Sequence, residues 1–149
     1  MNGKNVCMKL LAAIAFLALL LLAACTPANE IQSTEGQALV EQGDAYMACM
    51  QNSDLKCAYG LLSPSAQQQF DQAKELAAGV ANVESLFKAH GPRLSSWTFD
   101  QARFSTRDGI ATGTLQGEVK YLDGETGKVR LEFEKDGETW KVSSSGMTQ

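Results

Sequence analysis

From Leu94 onward the chain alternates apolar and polar residues, and Gly and Asp cut the alternation at strand-length intervals: Asp108-Gly109, then Asp123-Gly124-Glu125-Thr126-Gly127, then Asp136-Gly137. A period of two sends successive side chains to opposite faces, and a slip of one residue would turn the whole apolar set to water. This stretch therefore predicts four strands joined by short turns, an antiparallel meander. In the first, Trp97 and Phe99 fall on one parity and Ala102 and Phe104 on the other, which predicts a bulge near Gln101. On the second, Ala111, Gly113, Leu115, Gly117, Val119 and Tyr121 share a face, and two glycines there imply bending over something packed close. Val129, Leu131 and Phe133 alternate with Lys128, Arg130, Glu132 and Glu134, a strand with one wet side. Trp140 and Val142 mark the last strand, and residues 143–149 are expected to fray.

A sheet with one apolar face needs a cover, and the preceding residues have helical spacing. Thr34-x-x-Gln37 fits a capping box, and Leu39, Gly43, Tyr46 and Met50 then recur at spacings of 4, 3 and 4, widened by Val40 and Met47. Gly43 in that stripe marks either a close approach to another element or a tolerated cost of about 1 kcal/mol relative to Ala. After Asn52-Ser53-Asp54, Asp54 can cap a short helix over 55–62, offering Tyr59, Leu61 and Leu62 to the core. Ser63-Pro64 then starts a third helix with Ala66, Phe70, Ala73 and Ala77 on one face and Gly79 at its end. Val83, Leu86 and Phe87 are helical in spacing again, until His90-Gly91-Pro92 stops them. The expected fold is α+β, with N-terminal helices packed on a curved four-strand antiparallel meander sheet.

Ahead of this domain, Lys4 and Lys9 precede an apolar run over residues 10–24, which closes on Leu22-Ala23-Ala24-Cys25. Fifteen residues fall short of the ~20 needed to span a bilayer as a helix. The pattern resembles the lipobox signal peptide of bacterial lipoproteins. That resemblance implies cleavage before Cys25, a diacylglyceryl group on its thiol, and a mature chain held to a membrane by acyl chains. Residues 1–24 are then signal peptide and 25–34 the lipidated Cys and a tether. The polar tether over 26–33, eight residues with one Pro, reaches at most ~28 Å. A single domain over 35–145 and a frayed tail over 146–149 complete the chain. Thr26 after the lipidated Cys resembles cargo sent to the outer membrane, facing the periplasm in a two-membrane organism. With one membrane, the domain would sit on the outer leaflet of the cytoplasmic membrane.

Removing Lys4 and Lys9 with the signal leaves 11 basic against 17 acidic side chains, a net −6. Without a basic cluster, neither nucleic acid nor a polybasic contact with lipid is expected. Cys49 and Cys57 remain in a compartment where disulfides persist. On one straight helix they would lie about 12 Å apart, beyond the ~7 Å limit for bridged Cα atoms. A bridge thus requires the chain to reverse at residues 52–54; the alternative is two separately buried thiols. No Cys/His spacing typical of zinc is present, and neither metal nor cofactor is expected.

The element order resembles the cystatin-like, nuclear-transport-factor-two-like superfamily, in particular its small lipoproteins. Gly43-Asp44-Ala45-Tyr46, Ala58-Tyr59-Gly60-Leu61-Leu62-Ser63-Pro64-Ser65 and Asp136-Gly137-Glu138-Thr139-Trp140-Lys141-Val142 carry the resemblance. It implies a cone between sheet and helices that binds a small apolar ligand, catalyses, or is filled by side chains. Tyr46, Met47, Met50, Trp97, Phe99 and Leu115 are the candidate lining. Isomerase-type chemistry in such a cone needs an acid and a tyrosine, or a His-Asp pair, within hydrogen-bond reach. Tyr46, Tyr59, Asp100 and His90 are the candidates, each with a plain structural role as the competing explanation. No phosphate loop, nucleophile elbow or paired carboxylates stand out. The expected function is a lipid-anchored, non-enzymatic interaction or accessory domain with an envelope protein partner. The alternatives are a small-ligand binder and, behind it, an isomerase or dehydratase.

Overall fold

The structure, a computed structural model, describes residues 28–76 and 91–148. Cys25, the helix end at Ala77 and Gly79, the segment with Val83, Leu86 and Phe87, and His90 lie outside the described residues. Among the described residues, three helices, α1 (Thr34–Gln51), α2 (Leu55–Leu61) and α3 (Pro64–Leu76), precede a single 3-10 turn, Gly91–Arg93. Strands β1 (Leu94–Arg107), β2 (Ile110–Tyr121), β3 (Thr126–Asp136) and β4 (Thr139–Thr148) follow, adjacent in chain order and antiparallel throughout. This is an α+β fold with helices packed on a curved sheet.

The sheet's register explains its sequence. Phe99 pairs with Gly117 and Gln101 with Gln116, so Asp100 is the extra residue of a bulge. It brings Trp97, Phe99, Ala102 and Phe104 all opposite the inward row of β2, namely Val119, Gly117, Leu115 and Gly113. Asp108 (φ 52°) and Gly109 (φ 80°) form a hairpin turn with both central residues at positive φ, the type whose twist matches the strands. Against the expectation of fraying, β4 continues to Thr148, which pairs with Lys128. A second bulge, with Phe133 opposite Val142 and Glu132 opposite Ser144, leaves Ser143 as the extra residue and shifts the parity. Val142 and Met147, five positions apart, therefore both serve the core.

Helix α1 lies across β1, β2 and β4 and buries Leu39, Gly43, Tyr46, Met47, Cys49 and Met50. Gly43 is a close approach: a Cβ there would stand 2.8 Å from Leu115 Cδ1 and 3.0 Å from the Phe99 ring. On the sheet side, a Cβ at Gly113 would stand 2.7 Å from Leu39 Cδ1. The helix starts one residue earlier than the capping box implies. Ser33 is the N-cap, its Oγ accepting from Gly36 N at 2.9 Å, while the Gln37 side-chain amide donates to Ile31 O at 2.7 Å. Ser33 wins because its extended backbone (φ −72°, ψ 160°) aims its hydroxyl at the free N–H groups.

The chain reverses at Ser53 (φ 55°), and Asp54 Oδ1 caps α2 by accepting from Cys57 N at 2.9 Å. That reversal brings the Cys49 and Cys57 Cα atoms to 5.6 Å, and the two are disulfide-bonded. Helix α2 ends at Leu61, a residue short of expectation, because Leu62 forms a parallel bridge with Val142 on β4. Its fully buried residue is Ala58; Tyr59, Leu61 and Leu62 are half-buried. Buried Ser63 caps α3, and Ser63 N donates to Val142 O at 2.8 Å.

The described part of the tether is not free. Asn29 clamps β1 at the bulge, its Nδ2 donating to Asp100 O at 2.7 Å and its Oδ1 accepting from Ala102 N at 3.0 Å. Glu30 N adds a bond to Ala102 O at 2.9 Å, and Ile31 packs on the core. A Cβ at Gly36 would collide with the Glu30 carbonyl, so this strap lies directly on the first turn of α1.

Candidate functional site

The six residues read as a cone lining divide by burial. Met47 and Leu115 have no exposed surface and Tyr46 and Met50 have 4%, all four within the main apolar cluster. Trp97 and Phe99 are half-buried at its margin, and the Trp97 indole donates to Asp44 Oδ1 at 2.8 Å. Together with the tight contacts at Gly43 and Gly113, these side chains pack as core.

Beside the core runs a groove of about 310 Å³ between α1, α2, α3 and β4, with an apolar floor of Leu55, Leu62, Phe70 and Val142. Both candidate tyrosines reach it. The Tyr46 hydroxyl lies 3.1 Å from Ser145 Oγ, and the Tyr59 hydroxyl donates to Asp71 Oδ2 at 2.7 Å. Burial pushes the Tyr46 phenol up, against the smaller pull of Ser145. For Tyr59 the bond to Asp71 is the main upward cause. Both phenols are therefore protonated at neutral pH; Tyr59 donates to Asp71, whereas in the Tyr46–Ser145 pair either hydroxyl can be the donor. Asp100, the candidate acid, sits on the β1 bulge beside a separate depression on the outer sheet face, with Gln101, Gln116, Lys128 and Arg130. The structure thus brings the two tyrosines together and keeps Asp100 away from them. Among the described residues, no three His, Cys, Asp or Glu side chains are placed to hold a metal ion.

Glu35 was not among the residues that the sequence singled out. Its Oε1 accepts from Lys135 Nζ at 2.8 Å and its Oε2 from Trp140 Nε1 at 2.7 Å. Lys135 also lies over the Trp140 ring, 5.2 Å from its centroid. The bond from Lys135 first, then that from Trp140, holds the Glu35 carboxyl below the usual carboxylate range. An ionised carboxylate with both oxygens engaged is a poor base, so the group serves as a tie between the start of α1 and the β3–β4 hairpin. Partners 100 and 105 residues apart leave no local signal; an acid in a helix's first turn is the only clue, and it points to the helix dipole.

No family model matches this sequence, and no curated protein matches it, so a functional reading rests on the residues and their geometry.

Proposed function

We propose that this chain is a lipid-anchored protein of the cell envelope, held through acyl chains on Cys25. Its domain, of the cystatin-like, nuclear-transport-factor-two-like kind, serves an envelope protein as a non-enzymatic interaction or accessory module. The observation that carries the non-enzymatic part is the packing at the cone positions. Leu115 and Met47 have no exposed surface, and neither Gly43 nor Gly113 has room for a methyl group. The separation of Asp100 from the tyrosines supports the same reading, since general acid–base work needs such groups within reach of one substrate. The anchor rests on the leucine three residues before Cys25, the small residues between them and the short apolar run. One observation favours a second reading: the groove beside Phe70 has the volume of a small ligand pocket.

Three measurements test this. Acyl labelling should mark the wild type and not Cys25→Ser; equal labelling would refute the anchor. Native mass spectrometry of residues 26–149, exported without lipid, should give the bare mass. A reproducible added mass would shift the reading to ligand binding, and crosslinking in the envelope should capture the protein partner.

A further inference from the structure

We propose that the lipid bilayer is itself a surface partner of the domain, met along the β1 edge where residues 29–30 are clamped. This rests on the lipid-anchor reading and adds an orientation to it. The clamp is built from both sides. Asn29 and Glu30 together make three hydrogen bonds to the main chain at residues 100 and 102, and Gly36 lets the strap lie against α1. Clamping shortens the tether. Between the acylated Cys25 and Asn29 only residues 26–28 are left, so Ala28 lies within ~10 Å of Cys25. Strand β4 lies three strand spacings, ~14 Å, across the sheet from β1. A domain of ~120 residues has a radius of gyration near ~14 Å. So short a leash holds the clamped β1 edge nearest the headgroups, with β4 up to ~14 Å farther out.

The charges on that edge permit the contact. Arg103 and Arg107 stand on the outward row of β1, and neither has a carboxylate within ion-pair distance among the described residues; Arg103 meets only Gln101 Oε1, at 3.4 Å. Unpaired guanidinium groups suit lipid phosphates. Glu30, Asp100 and Asp108 are the acids nearby. They outnumber the two arginines by one, so the leash, rather than a basic patch, sets the geometry.

The experiment uses the full lipidated protein in vesicles of phosphatidylcholine and phosphatidylglycerol that carry a headgroup spin label. With Cys25 acylated and Cys49–Cys57 bridged, a new single thiol takes a fluorophore selectively. Thr98→Cys reports β1 and Ser144→Cys reports β4, both on exposed residues of the outer sheet face. Quenching at Thr98→Cys should exceed that at Ser144→Cys several-fold. Six Gly/Ser residues inserted between Pro27 and Ala28 add up to ~20 Å of reach and should erase the difference while leaving the clamp intact. Equal quenching at both sites, or no effect of the insertion, overturns the proposal. Shielding of Thr98→Cys only in native membranes would assign this edge to a protein and overturn it too. An intact mass without acyl chains on Cys25 would remove the anchor reading along with the orientation.

Discussion

Reducing the Cys49–Cys57 bridge should lower the midpoint of thermal unfolding by roughly 10 °C, and the figure follows from the size of the loop. The two cysteines are eight residues apart, which the chain-entropy relation converts to about 2.5 kcal/mol at 25 °C. At ~2.1 cal/mol/K per residue, a domain of ~120 residues unfolds with an entropy near 0.25 kcal/mol/K, and the ratio gives the shift. The folded state should survive reduction. Asp54 still caps α2, Ser53 still carries the reversal, and Cys49 stays buried in the α1 stripe. Cys57 is exposed, so a phosphine reductant reaches the bridge without unfolding the domain. The assay is far-UV circular dichroism melting of the lipid-free protein with and without reductant, with thiol counting to verify reduction. A Cys49→Ala/Cys57→Ala variant should melt near the reduced wild type and ignore the reductant. A shift below about 3 °C in verified reduced protein would refute the reasoning, because the bridge would then constrain nothing that the turn does not already hold. Loss of the folded signal at 25 °C would refute it in the other direction, making the bridge a requirement of the native state.

Gly113→Val should destabilise the domain by about 1–3 kcal/mol in a urea titration, because Leu39 has no exposed surface and so nowhere to retreat; a neutral result would mean that α1 can lift. Glu35→Gln should cost most at neutral pH. Its carboxyl is lowered in the folded state, so its contribution is present above the unfolded carboxylate value and lost as pH falls through the folded one. The gap between wild-type and variant melting temperatures should therefore close in acid. Asn29→Ala should speed exchange of the Ala102 amide about fivefold, the loss of a hydrogen bond worth ~1 kcal/mol, as read by NMR hydrogen exchange.

The sheet was legible because its signals are local. Trp97, Phe99, Ala102 and Phe104 disclose the bulge at Asp100 through their own parity, and Asp108-Gly109 discloses its turn through the residue types that tolerate positive φ. Residues 143–148 were not legible. Three serines and a glycine carry no apolar alternation, and the bulge at Ser143 separates Val142 from Met147 by an odd number of positions. Main-chain bonds to β3 hold that stretch, and these have no side-chain signature. The Asn29 clamp hid for a related reason: an Asn in a polar run reads as loop until the peptide groups it meets, 71 and 73 residues away, are in place. For the candidate site, sequence periodicity put the lining residues on the correct inward faces. Whether an inward face encloses space or fills it depends on the distance between helix and sheet, which Gly43 and Gly113 set from opposite sides.

An open four-strand sheet has two edges, and an unpaired edge invites association with other chains. Here the N-terminal half supplies main-chain partners to both. Residues 29–30 bond to β1 at the Asp100 bulge, and Leu62 and Ser63 bond to β4 at Val142. Each bond falls beside a bulge, at Asp100 on β1 and at Ser143 on β4, where the strand already departs from regular pairing. The helices therefore do more than cover the apolar face: the segments before α1 and between α2 and α3 grip the sheet at opposite margins.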